Sequence, residues 1–240
     1  MRVLITGTMQ GLGLELTKEG LKRGHSIVAA QLKYNDAINE LLEKYPDNLH
    51  VEIMDVTDNG SVTSAAASVE GRFGAIDGII NNAAILLETK FDTSDQIADM
   101  PLDVFERTMD VNITGVVRVC KAFMPLAYKG GDDRFVINIT SEGAKLHGGG
   151  IIIYPAYTVS KYALNMYTQI LRNYVAEKSL GFRVWMVHPG RMHTVMGAEN
   201  AQIQPLETAE NLWDIIERKK PVEHHDVPFI NYKGEYMLDL

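Results

Sequence analysis

The 240 residues carry 31 Asp and Glu against 23 Lys and Arg, a formal charge of −8. No excess of cations is there to displace counterions, which argues against nucleic acid or an acidic membrane surface as partner and for a small molecule. An apolar share of 46% with 22% charged residues supplies a sizeable core for one domain spanning 1–240. Cys120 is the lone cysteine, so no internal disulfide forms and a cytoplasmic setting is expected.

The first predicted strand, Val3–Ile5, runs into Thr6-Gly7-Thr8-Met9-Gln10-Gly11-Leu12-Gly13 and then into helical spacing marked by Leu12 and Leu16. It reaches glycine too soon for a signal peptide, and no later apolar run approaches the roughly 20 residues that span a bilayer. Strand, glycine turn and helix in that order suit a phosphate. One glycine permits the sharp turn, one lets the backbone approach a pyrophosphate, one lets helix and strand pack, and the amides at the helix start face the negative charge. A purely structural turn is the alternative, since the chain holds 20 glycines.

The second strand, Ile27–Ala30, leads to Gln31-Leu32-Lys33, where a dinucleotide enzyme often places an acid against the adenosine ribose. Gln31 carries no charge to repel a 2′-phosphate and Lys33 attracts one, which favours NADP(H) over NAD(H). Lys33 also reads as a solvated loop residue, and Gln10 stands where a basic residue would strengthen the case. The third and fourth strands, Val51–Met54 and Ile76–Ile80, are followed by Asp55-Val56 and by Asn81-Asn82-Ala83-Ala84. Short Asx side chains there cap a strand end or hydrogen-bond an adenine amine. Asn112 is a poor helix former in an otherwise helical segment, which predicts a local distortion or a polar role.

The fifth strand, Phe135–Ile139, leads to Ser141 and a loop-like stretch from Glu142 to Ile153 containing Gly148-Gly149-Gly150. Tyr157 and Lys161 then stand four apart, on one face of a helix. A free tyrosine, with a pKa of about 10, is a poor base at neutral pH, and a fixed ammonium brings it toward the working range. Tyr174 and Lys178 repeat the spacing but lie about 25 Å further along the helix, away from the ligand edge. Ser141 can hold a substrate oxygen beside the phenol.

The sixth strand, Val184–Val187, leads to an irregular stretch at 190–205 on the expected substrate side, and a helix follows from near Leu206 to near Lys219. Met192 and Met196 are candidates to line the pocket. His188 and His193 lie close to the expected site, but the chemistry does not require them. His224 and His225 are adjacent and lack a third ligand, so no metal is expected. Alternating strands and helices with long crossovers imply a single-domain Rossmann fold, a doubly wound parallel sheet of about seven strands with helices on both faces.

The chain resembles the short-chain dehydrogenase/reductase family from Arg2 to about the last ten residues. Gly7, Gly11 and Gly13, Asp55-Val56, Asn81-Asn82-Ala83, Asn112, Ser141, Tyr157 with Lys161, and Pro189-Gly190 with Thr194 fall in the family's order. Tyr154 to Tyr157, Ala163 to Met166, the 16-residue gap from Ser141 to Tyr157, and Pro189 to Gly197 are similar to the C-factor and carbonyl reductase group. The resemblance implies Tyr157 as acid/base, Ser141 orienting the substrate oxygen, Lys161 holding the nicotinamide ribose, and Asn112 binding a water that links Lys161 to solvent. Gly7, Gln10, Gly11, Leu12 and Gly13 would cradle the cofactor. Gln31 would select it, Asp55 and Val56 would meet adenine, Asn82 and Ala83 would run along it, and Pro189, Gly190 and Thr194 would hold the nicotinamide end. Gln10 replaces a frequent basic residue and Ala84 a usual glycine.

The expected activity is hydride transfer between NAD(P)(H) and a small carbonyl or alcohol. The alternative is a cofactor-binding regulator on the same fold. The family favours oligomers, whereas the short segment after Thr194 permits a monomer.

Overall fold

The computed structural model describes residues 1–90, 97–146, 150–194, 196–197, 201–222 and 225–237. Among these, β1 (Arg2–Thr6), β2 (Ser26–Gln31), β3 (Leu49–Ile53), β4 (Gly78–Asn81), β5 (Phe135–Ile139), β6 (Arg183–His188) and β7 (Phe229–Asn231) form one parallel sheet in the order β3-β2-β1-β4-β5-β6-β7. The helices are α1 (Gly11–Lys22), α2 (Asp36–Lys44), α3 (Asn59–Phe73), α4 (Leu102–Met109), α5 (Gly115–Ala127), α6 (Pro155–Glu177) and α7 (Pro205–Ile216). None of them is long and apolar enough to cross a membrane.

Alternate side chains of a strand point to opposite faces, so each strand feeds two cores. Val3 and Ile5 pack with Leu12 and Leu16 of α1, Ile38 of α2 and Leu212 and Trp213 of α7. Leu4 and Val28 pack on the other side with Val62 of α3, Phe123 of α5 and Leu164 and Leu171 of α6. The chain winds outward from β1 to β3, then returns to place β4 on the opposite flank of β1. That reversal leaves a crevice beyond the carboxyl ends of β1 and β4, where α/β sheets bind ligands.

The distortion expected at Asn112 is a π-helical turn, Asp110–Thr114, which joins α4 to α5 in one continuous helical rod. Most strand ends shift by one or two residues from the sequence expectation, and three differences have a local setting. β4 starts at Gly78 rather than Ile76, and at Asp77 the carboxylate accepts the Arg2 amide at 2.6 Å while the Asp77 amide donates to the Arg2 carbonyl at 2.7 Å. α7 ends at Ile216, and Arg218 adopts a left-handed backbone with φ +59°. β7 is too short for an apolar run to mark it, and Tyr236 pairs back antiparallel on Ile230 along its outer side.

The helix that starts in the glycine turn is fixed to α7. Gly20 admits the Trp213 ring, since a Cβ there would lie 2.4 Å from Cζ2, and the indole donates to the Leu16 carbonyl. Arg23, which follows α1, reaches Glu19 at 2.8 Å, Asp214 at 2.6 Å and Glu217 at 2.7 Å. Burial raises the Glu217 pKa, but hydrogen bonds from Lys219, Arg23 and His25 and the Arg23 charge outweigh it and hold the carboxyl at about 2, below its ordinary 4.5. A depressed folded pKa stabilises the protein above the unfolded value, and that contribution disappears as pH falls from about 4.5 toward 2. Glu217→Gln should therefore melt lower than the wild type at pH 6, by on the order of 2 kcal/mol after solvent screening. Thermal melts across pH should show the gap closing between pH 4.5 and 2; a constant gap would refute the ion-pair account.

Candidate active site

At the phosphate end the glycines are required by the space around them. Gly7 has φ +73°, and a Cβ there would lie 2.8 Å from the Ala83 Cα. A Cβ on Gly13 would lie 2.2 Å from the Gly7 carbonyl oxygen and 2.6 Å from Asn82 Nδ2. Gly11, at φ +59°, is open until Thr194 Cγ2 at 3.6 Å. Asn82 Nδ2 donates to the carbonyls of Thr6 at 2.9 Å and Gly7 at 3.2 Å, while Thr6 Oγ1 accepts the amides of Asn82 and Ala83 at 3.0 Å. The carboxyl ends of β1 and β4 are thereby laced together under the glycine turn.

Gln10, the N-cap of α1, makes no capping hydrogen bond, and the first turn holds no acidic residue. The positive end of α1 is thus left to an anion, and the open approach at Gly11 gives a pyrophosphate its path. The residues present fit a dinucleotide. Leu12 is buried in the core, so only its backbone serves the crevice.

Gln31 is buried and committed at both ends: Oε1 accepts the Thr8 hydroxyl at 2.9 Å, and Nε2 donates to the Lys33 carbonyl at 2.9 Å. Lys33 itself is exposed. Asp55 forms an Asx turn, its Oδ1 accepting the Thr57 amide at 2.9 Å and hydroxyl at 2.7 Å. Burial raises the Asp55 pKa, but these bonds with the charges of Arg107 and Arg118 bring it below the usual carboxylate range. Val56 lies against Gly115, where a Cβ would stand 2.9 Å from Val56 Cγ2.

At the reacting end, Pro155 occupies the first turn of α6, where its missing N–H costs nothing. The Ser141 hydroxyl lies near enough to the Tyr157 phenol to act on it, and Ser141 Oγ accepts the Gly143 amide at 3.2 Å. One turn further on, Lys161 is 2% exposed; its Nζ donates to the Ile139 carbonyl at 2.8 Å and lies 5.7 Å from the Tyr157 ring centre. Burial pushes the phenol up to about 12, Ser141 pulls it down and Glu88 pushes it up. Burial alone brings the Lys161 amine down to about 7. The lowering expected from the lysine is not among the influences on the phenol; Nζ is itself stripped of water and directed at a strand carbonyl.

Asn112 is fully buried and bridges two segments. Oδ1 accepts the Ile85 amide at 2.8 Å, and Nδ2 donates to the Ile85 carbonyl at 2.9 Å and to Ser160 Oγ at 3.0 Å. Ser160 in turn donates to the Tyr157 carbonyl at 2.7 Å. One lone pair on Asn112 Oδ1 remains for a water.

Beyond β6, the Pro189 carbonyl accepts the Thr208 hydroxyl at 2.9 Å, and Gly190 has φ +84° with Ile203 and Tyr232 packed where a side chain would stand. Thr194 Oγ1 accepts the Gly197 amide at 3.0 Å while its methyl faces Gly11. Met192 packs against the core, whereas Met196 is exposed. Gly148, Gly149 and His224, with residues 195 and 198–200 of the substrate-side stretch, lie outside the described residues. His225 stacks on Tyr236 at 3.7 Å.

Three further residues contribute: the sequence placed His188 near the site without a role, and it did not single out Glu88 or Asn165. Glu88 accepts the Tyr157 amide at 2.8 Å from a single 3-10 turn, Glu88–Lys90, that no periodicity marks. His188 Nδ1 accepts the Glu142 amide at 3.1 Å, which places the proton on Nε2 and holds the residue next to Ser141; burial brings this imidazole down to about 4. Asn165, one turn beyond Lys161, donates to the Ala144 carbonyl at 3.0 Å. Its spacing after Tyr157 and Lys161, at intervals of four, was the available signal.

The model of the short chain dehydrogenase family matches residues 1–204. The chain is 31% identical over 196 residues to 3beta-hydroxysteroid dehydrogenase 2 of Eggerthella lenta, covering 81% of this chain and 72% of that protein. Other curated relatives are longer, and the alignment spans 43% of one and 63% of another. In fold it is similar to a carbonyl reductase from chicken fatty liver crystallised with NADPH, at TM-score 0.85 and 24% identity over 98% of both chains. The carbonyl reductase Sniffer of D. melanogaster superposes at TM-score 0.86 with 24% identity over 98% of both chains.

Proposed function

Because the chain belongs to the short-chain dehydrogenase/reductase family, we propose that it reduces a small carbonyl compound with NADPH, with Tyr157 as the acid. The carrying observation is the gathering of the Ser141 and Tyr157 side chains and the buried Lys161 at one place, at the same sheet edge as the glycine turn. When bound, the nicotinamide supplies a hydride to the carbonyl carbon. The carbonyl oxygen, which gains the electron pair of its π bond, takes the phenolic proton of Tyr157, and the phenolate is then reprotonated from solvent. Ser141 holds that oxygen beside the phenol. At its ordinary pKa of about 10, and the more so where burial raises it, the phenol carries its proton at neutral pH and so has one to give. Lys161, with one proton directed to Ile139, has donors left for the nicotinamide ribose.

NADP(H) is the favoured cofactor because the end of β2 presents the buried Gln31, and no carboxylate, to a ribose diol. Both ends of Gln31 are engaged, and the exposed Lys33 is there to meet a 2′-phosphate. The test is a titration with NADPH and NADH, followed by turnover of a panel of ketones and aldehydes with each. Tighter binding of NADPH, by roughly tenfold, with oxidation of NADPH by at least one carbonyl, is expected. NADPH binding with no turnover across the panel would instead support a regulator on this fold.

A further inference from the structure

Glu88 is a carboxylate 5% exposed, and it lies outside every motif that marks the site. Its Oε1 accepts the Tyr157 amide at 2.8 Å, while Oε2 is buried with no hydrogen-bond partner among the described residues. We propose that Glu88 is a positioning residue for Tyr157, a carboxylate that caps α6 from outside the helix and ties the backbone of the reacting tyrosine to the turn after β4. This rests on the acid role given to Tyr157 above and adds the group that sets it.

The argument starts at the end of α6. Tyr154, the N-cap, makes no side-chain capping bond, and Pro155 has no N–H to give. Thr158 donates to the Tyr154 carbonyl at 2.9 Å, so the Tyr157 amide depends on a partner from elsewhere, which Glu88 supplies. An anion at this end is favoured by the helix dipole, which offsets part of its desolvation. The consequence is geometric: the backbone of the reacting tyrosine is fixed to the 3-10 turn rather than left to fray.

The second consequence is electrostatic. Among the described residues, the groups near the phenol are Ser141 from the loop after β5, Lys161 from α6 and Glu88 from the turn, while Asn112 and Ser160 on the π-turn side are neutral. Lys161 directs Nζ to Ile139 and Ser141 has no charge, so the carboxylate acts directly against a second negative charge on the phenolate. Its influence on the phenol is upward. A retained proton serves reduction, whereas alcohol oxidation needs the phenolate as base.

The experiment compares E88Q and E88A with wild type and Tyr157→Phe, measuring NADPH affinity, melting temperature and the pH profile of kcat and KM. E88Q keeps an acceptor for the Tyr157 amide and loses the charge. Its kcat should fall by no more than about threefold, while the alkaline limb of kcat/KM for reduction moves down by about one pH unit. E88A loses both, and kcat should fall by about 10- to 100-fold with NADPH affinity unchanged, as expected for a displaced acid. An E88Q profile that superposes on wild type, or an E88A kcat that is undiminished, overturns the proposal. Should E88A not fold, the E88Q profile decides alone. Full activity in Tyr157→Phe would sink the acid assignment itself, whereas an inert Tyr157→Phe beside wild-type-like Glu88 variants would sink only this inference.

Discussion

Tyr157→Phe is expected to lower kcat for carbonyl reduction by about 10²- to 10⁴-fold, the range supplied by a positioned general acid. The substitution removes one oxygen from a ring whose surroundings have other support. Lys161 stays tied to the Ile139 carbonyl, Ser141 still accepts the Gly143 amide, and the Tyr157 amide and carbonyl remain held by Glu88 and Ser160. Stability and NADPH affinity should therefore change little, and the loss should fall on the chemical step. Tyr174→Phe is the internal control, since that phenol repeats the spacing to a lysine but is half-exposed near the far end of α6. Steady-state NADPH oxidation with a carbonyl taken from the panel, together with cofactor titration, measures both. Turnover undiminished in Tyr157→Phe, or lost equally in Tyr174→Phe, would refute the role given to the phenol.

The sequence carried the fold because each strand is a short Val/Ile-rich run that ends in a chemically marked turn. Period-2 alternation then splits Val3 and Ile5 from Leu4 between two cores. β7 escaped because three residues are too few to show a period, and its pairing is completed from Tyr236, further along the chain. The π-turn was legible at Asn112, as a polar residue interrupting an apolar helix. What the spacing of Tyr157 and Lys161 did not reveal was where Nζ points. Its partner, the Ile139 carbonyl, belongs to a strand 22 residues away, and that contact exists only once α6 lies on β5. Glu88 was illegible for a similar reason: the separation of 69 positions between it and Tyr157 is closed by the fold and not by a local pattern.

Gly13→Ala is the second substitution from which a large effect is expected, and its sign runs against local propensity. Gly13 lies in the first turn of α1, and in a helix interior replacing glycine by alanine stabilises by up to about 1 kcal/mol. Gly71 shows that case: it is an exposed residue of α3 with nothing within 4 Å of the added carbon, and Gly71→Ala should raise stability by about 0.5–1 kcal/mol. At Gly13 the added carbon would lie 2.2 Å from the Gly7 carbonyl oxygen, which is backbone and cannot rotate away. Relief requires α1 to move off β1 or the glycine turn to open, and either displaces the Asn82 bonds to Thr6 and Gly7 that join β1 to β4. Overpacking of this kind costs about 1–3 kcal/mol. The displacement falls on the amides that would meet the pyrophosphate, so NADPH affinity should drop by more than tenfold even where the variant remains folded. Melting temperature and NADPH titration of Gly13→Ala and Gly71→Ala together check the argument. A Gly13→Ala protein that melts higher, as Gly71→Ala should, and still binds NADPH would show that helix and strand do not approach as closely as the structure places them.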